Sequence, residues 1–201
     1  MGLISVLRRY VGLPSGLLTL VLCGSTAIIV RQGQRILALE DSLSPSQPGK
    51  LSSGTTVHSL RVQDLKGRSQ SLVFSGTQSR PTILYVFRPE CVWCRRNSSY
   101  LKYLYGRVAN SYDIVGLSLT SNGVQKFVEQ TAIAFPVYTG LSAIDINSYH
   151  LGTTPETIVI SSSGKVIDSW LGAYTTEPIR SDVERFFSLR FPTAKGEQET
   201  N

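Results

Sequence analysis

Histidine is almost missing from this chain, with only His58 and His150 among 201 residues, and cysteine is confined to Cys23, Cys91 and Cys94. A structural zinc site takes about four nitrogen or sulfur ligands. Neither histidine nor Cys23 stands at ligand spacing from Cys91 and Cys94, so a structural metal is disfavoured. Basic residues are not gathered into a stripe interleaved with aromatics, which disfavours a nucleic-acid partner. Half of the net charge of +6 falls in residues 1–53, and charge is absent altogether from Tyr10 to Val30. No internal repeat is visible. What remains, 41% hydrophobic and 17% charged residues, suits one globular domain with appendages.

Twelve of the twenty residues from Val11 to Val30 are apolar. Twenty helical residues just cross a hydrocarbon core of about 30 Å, so 11–31 reads as a single transmembrane anchor after a short segment 1–10. A cleaved signal peptide is the alternative, since Pro14, three glycines and two serines interrupt the span. Ile28-Ile29-Val30 carries the apolar run past the small residues Ser25-Thr26-Ala27, which favours retention. Cys23 lacks the preceding small residue of a lipoprotein site and reads as a buried apolar side chain. Arg8 and Arg9 before the span lean slightly toward an inside amino terminus, and an oxidising compartment suits a dithiol domain. The expected location is therefore a single-pass membrane protein with its domain on the extracytoplasmic, periplasm-like side. Ser42 to Thr56 holds five serines, two prolines and two glycines, so 32–56 reads as a linker. A domain over 57–191 follows, then a disordered tail over 192–201.

The domain centres on Val86-Phe87-Arg88-Pro89-Glu90-Cys91-Val92-Trp93-Cys94-Arg95-Arg96. An apolar run stops at Pro89 and a Cys-x-x-Cys pair sits where helical periodicity begins. Thiols at i and i+3 on a first helical turn can close into a disulfide, and the leading sulfur faces unpaired N–H groups and the positive end of the helix dipole. That arrangement lowers a thiol from about 8.5 toward roughly 3.5 to 7.5, and its chemistry is thiol-disulfide exchange. An inert staple is the bland reading. A three-residue loop restricts the unfolded chain too little to explain itself that way.

Period-two and apolar runs predict strands at Val57–Val62, Gln70–Phe74, Thr82–Phe87, Asp113–Leu119, Phe135–Tyr138, Thr157–Ile160 and Val166–Leu171. Helical spacing of Leu101, Leu104, Tyr105 and Val108 continues from the cysteines. Asn122 is the expected N-cap of a helix over Gly123–Thr131, and further helices are expected at Ala143–Leu151 and Ile179–Phe187. Gly164 stands where a hairpin turn needs positive φ. The order β-β-β-α-β-α-β-α-β-β-α predicts an α/β fold with a mixed sheet flanked by helices.

Cys91-Val92-Trp93-Cys94, Gly152-Thr153-Thr154-Pro155-Glu156-Thr157 and Ser163-Gly164-Lys165-Val166-Ile167 at this spacing resemble the thioredoxin fold, and more narrowly the membrane-anchored TlpA/ResA branch of thiol-disulfide oxidoreductases. The resemblance implies Cys91 as nucleophile and Cys94 as resolving thiol. It also implies Pro155 as a cis-proline beside them, with Thr154 presenting backbone to substrate. Trp93 is expected to be a substrate platform rather than core. Protein thiols and disulfides are the implied substrates, an upstream thiol donor and the bilayer the other partners, reduction the implied direction, and no cofactor or metal is implied. Trp93 stands where a proline is common, and Arg88 and Pro89 replace small and aromatic residues. Tyr85 stands where thioredoxins proper keep a buried acid, so proton transfer to Cys94 has no obvious carboxylate. Arg95 and Arg96 are candidates for steadying a thiolate, and Glu90 opposes it if turned inward. Two alternatives stand beside this reading: a peroxiredoxin-like thiol peroxidase, whose expected Thr or Ser three residues before the cysteine is Arg88 here, and a copper-binding module with His150 as third ligand.

Overall fold

The computed structural model describes residues 49–76 and 80–192. The segments read as anchor and tail, and most of the linker, lie outside the described residues. Among the described residues no helix is long and apolar enough to cross a membrane.

Seven strands form one mixed sheet in the order β2-β1-β5-β4-β3-β6-β7. They are β1 (Leu60–Asp64), β2 (Ser69–Leu72), β3 (Thr82–Phe87), β4 (Asp113–Ser118), β5 (Val137–Thr139), β6 (Glu156–Ile160) and β7 (Val166–Leu171). β3 is buried along its whole length, pairing with β4 in parallel and with β6 antiparallel. This is why it reads as a continuous apolar run rather than an alternating one. β5 pairs with β4 in parallel and with β1 antiparallel.

Among the described residues five helices cover the sheet: α1 (Val92–Arg96), α2 (Ser98–Val108), α3 (Val124–Thr131), α4 (Ala143–Ser148) and α5 (Ile179–Phe186). The parallel crossovers from β3 to β4 and from β4 to β5 run the same way across the sheet, and α2 and α3 pack on the same face. There Leu101, Leu104, Val124, Phe127 and Val183 bury against Ile83, Tyr85 and Phe87. Each such side chain contributes about 1.5–3 kcal/mol of transfer free energy. On the opposite face Leu84, Val86, Leu117 and Ile158 pack with Tyr149 and Leu151, which follow α4, and with Leu51. Residues 50–56, at the end of the stretch read as linker, lie along β7. Gly54 N–H donates to Val166 O at 2.8 Å, and Ser169 Oγ donates to Leu51 O at 3.0 Å.

Several expected bounds shift for physical reasons. β1 begins at Leu60, because Val57 N–H donates to Gly164 O rather than into the hairpin. α3 begins at Val124, with Gly123 at φ 74 in the capping position and no side-chain cap. Asn122 therefore does not cap it. α4 ends at Ser148, and Leu151 N–H turns back to Ile146 O. The single helix expected after the cysteines is interrupted at Asn97, whose buried side chain is drawn sideways into the polar contacts described below. Gly164 does adopt φ 76 in the turn between β6 and β7.

Candidate active site

Cys91 is the N-cap of α1, with extended backbone at φ −73 and ψ 114. Its sulfur takes the place that a serine or aspartate oxygen fills at most helix starts, accepting the N–H of Cys94 at 3.1 Å. A donor aimed at that sulfur favours its anionic form. Cys91 is half-buried and Cys94 fully buried, and the two are joined as a disulfide with Cα atoms 5.2 Å apart. One sulfur can meet an incoming molecule and the other reaches only its neighbour.

The turn before β6 closes the site from the other side. Thr154 O lies 3.5 Å from Cys91 Sγ, close enough to accept the reduced thiol's proton, and the Thr154–Pro155 peptide is cis. Pro155 is buried and its carbonyl accepts Gly172 N–H at 2.7 Å, tying the turn to the end of β7. Trp93 is 48% exposed and so is not core, and the Arg96 guanidinium lies 5.0 Å above its ring. Arg95 NH1 donates to Gln130 Oε1 at 2.6 Å, crossing a groove of about 420 Å³ between α1 and α3. Glu90 is exposed.

Behind Cys94 the polar groups are neutral. Asn97 Nδ2 reaches Tyr85 Oη at 3.5 Å, Asn97 Oδ1 accepts the N–H of Tyr174 at 2.8 Å, and the Tyr174 and Thr157 hydroxyls meet at 2.5 Å. Burial pushes both phenols well above their ordinary value, so neither serves as a base near neutral pH. The fold does bury one carboxyl nearby that sequence reasoning missed. Glu156 is 0% exposed, its two oxygens have no hydrogen-bond partner, and burial pushes it up to about 8, with Lys50 opposing. A glutamate heading the apolar run Thr157–Ile160 directly after Pro155 was the available signal. It does not replace the missing acid, however. Glu156 is registered opposite Val86 and Leu171, and Val86 faces the core on the side away from Cys94. Its neighbour Thr157, opposite Tyr85, is the residue that faces the cysteines' side.

No model of a known protein family matches the chain. Its sequence is similar to the thiol-disulfide oxidoreductase ResA of a Bacillus cereus strain, 24% identical over 172 residues, spanning 84% of this chain and 92% of that protein. The chain is a ResA-like thiol-disulfide oxidoreductase. Its fold is thioredoxin-like. The thioredoxin domain of a thiol-disulfide oxidoreductase from Bacteroides vulgatus matches with a TM-score of 0.56 and 23% identity, covering 69% of this chain and 99% of that one. A thiol:disulfide interchange protein from a Bacteroides species matches at 0.55 and 23%, covering 74% and 96%.

Proposed function

We propose that the oxidoreductase exchanges electrons with cysteines of other proteins through Cys91 and Cys94, in the reducing direction. The reading is supported above all by the capping of the half-buried Cys91 sulfur by Cys94 N–H at 3.1 Å while Cys94 itself is fully buried. Cys91 thiolate attacks a substrate sulfur, a Cys91–substrate disulfide forms, and the substrate's own S–S bond breaks to release a thiolate. Cys94 then attacks Cys91 Sγ and the second substrate sulfur leaves. Two electrons pass to the substrate and the pair is left oxidised. Because the phenols behind Cys94 stay protonated and Glu156 faces the other side of the sheet, the proton of Cys94 goes to the released substrate thiolate or to solvent. An upstream thiol donor returns the pair to the dithiol.

Thr154 and Pro155 flank the attacking sulfur and Trp93 offers an exposed ring beside it, so these three are the proposed substrate contacts. Residues 11–31 are proposed as the membrane anchor and the part of 32–56 that precedes the packed segment 50–56 as a tether, holding the domain on the extracytoplasmic side. Alkylation trapping in intact cells tests the direction: a pair held mostly reduced supports a reductant, and one held mostly oxidised contradicts it. The domain's side is tested by labelling Cys91 with a membrane-impermeant maleimide, which reaches it in intact spheroplasts only if the domain faces out.

A further inference from the structure

Around Cys91 cations outnumber carboxylates. Val92 and Trp93, 60% and 48% exposed, flank the sulfur. Beyond them Arg95 on α1 and Lys126 on α3 line opposite sides of the groove, with Glu90 the carboxylate in its lining, and Arg96 lies outside it over the Trp93 ring. Among the described residues none of these three cations lies within 4.0 Å of a carboxylate, whereas Arg68, Arg80, Arg180, Arg185 and Arg190 each have one. The groups that hold Arg95 and Arg96 are uncharged. Gln130 and the Pro89 carbonyl hold Arg95, and the Trp93 ring underlies Arg96. Glu129, one turn along α3 from Lys126, is engaged by Gln125 Nε2 at 2.8 Å. On the other side of Cys91, residues 151–154 and 173–176 carry no charge. The guanidinium groups are thus held in place with their charge unanswered, and a partner that brings carboxylates completes them.

We propose that this face selects disulfides set in acidic, extended protein segments, whose carboxylates meet Arg95, Arg96 and Lys126 while Trp93 covers an apolar neighbour of the reacting cysteine. The inference rests on the exchange chemistry of Cys91 and Cys94. It also predicts a rate order opposite to the intrinsic one. Acidic neighbours raise the pKa of a leaving thiol, which slows its departure, and they repel a small anionic thiolate.

The test is single-turnover reduction by the pre-reduced full-length protein of three substrates. These are a peptide disulfide flanked by glutamates, the same peptide with lysines, and neutral 2-hydroxyethyl disulfide, each also run against dithiothreitol. At low ionic strength the protein is expected to reduce the glutamate peptide roughly ten times faster than the lysine peptide, within the range of electrostatic steering. Dithiothreitol shows the reverse order. The ratio should fall toward one in molar salt, where the screening length shrinks to about 3 Å, and in the variant R95Q/R96Q/K126Q. A ratio of the two peptides cancels any change these substitutions make in Cys91 itself. Should the triple variant not fold, K126Q alone, on exposed α3 surface, must lower the ratio about twofold. Equal rates, a faster lysine peptide, or a ratio unmoved by K126Q overturns the proposal. Failure to reduce 2-hydroxyethyl disulfide overturns the exchange reading itself, and the proposal with it.

Discussion

Asn97 accepts the backbone N–H of Tyr174 at 2.8 Å, joining the helix that carries the cysteines to the loop that follows β7. Both residues are fully buried, so the bridge lies in a medium where an unmade hydrogen bond is costly. Asn97→Ala leaves the Tyr174 amide without an acceptor and should destabilise the protein by about 1–3 kcal/mol, read from the shift in urea midpoint at constant m. A loss below about 0.5 kcal/mol would mean that the bridge is replaced at little cost.

Gly172 constrains the site from the same side. It sits at φ 126, its N–H is given to Pro155 O, and a Cβ there would collide with Ile179 Cδ1. Gly172→Ala combines backbone strain with that collision, so a loss on the order of 1–3 kcal/mol is expected. Because the strain falls on the partner of Pro155, peptide-disulfide reduction should slow as well. Unchanged stability and rate would show that the β7 end does not hold the Pro155 turn.

Glu156 makes stability depend on pH with a defined sign. Its carboxyl has an ordinary value of 4.5 and is raised to about 8 in the folded protein. Between those limits the native state binds more protons than the unfolded state, so stability falls as pH rises through that window and levels off above it. At about 1.4 kcal/mol per unit of difference, the total is a few kcal/mol. Glu156→Gln should flatten the profile and leave the variant more stable than the parent at pH 8. Because Glu156 faces away from Cys94, the same substitution should leave the pH dependence of Cys94 alkylation where it was. A slope that survives in the variant assigns the titration elsewhere.

The different duties proposed for the two cysteines should be separable by single substitutions. Cys91→Ser is expected to abolish disulfide reduction. Cys94→Ser should still attack but stall, accumulating a mixed disulfide through Cys91 that is visible on a non-reducing gel. Retained reductase activity in Cys91→Ser would reverse the assignment.

The parts of this fold that were readable were those where local pattern and tertiary role coincide. β3 is apolar from Ile83 to Phe87 because both its faces are covered, and Gly164 marks the turn between β6 and β7 because positive φ suits glycine. The Cys-x-x-Cys pair announced a helix start, and the structure puts one there. Less readable were features decided by distant partners. β5 has three residues, too few for a period, and its place between β1 and β4 rests on Gln63 pairing with Thr139 and Gly116 with Val137. The interruption at Asn97 depends on Tyr174, which lies 77 residues away. Arg95 and Lys126 share a groove only once α1 and α3 lie on one face.

The exchange chemistry requires the Cys91 sulfur to be held as a thiolate by its place at the start of α1, and titration of the reduced protein measures this directly. Thiolate absorbance near 240 nm, or the rate of alkylation by neutral iodoacetamide, is followed across pH in Cys94→Ser, where Cys91 and Cys23 remain, and in Cys91→Ser/Cys94→Ser, where Cys23 alone remains. The expected midpoint for Cys91 lies at least one unit below the free-thiol value of about 8.5. A midpoint at or above that value would contradict it.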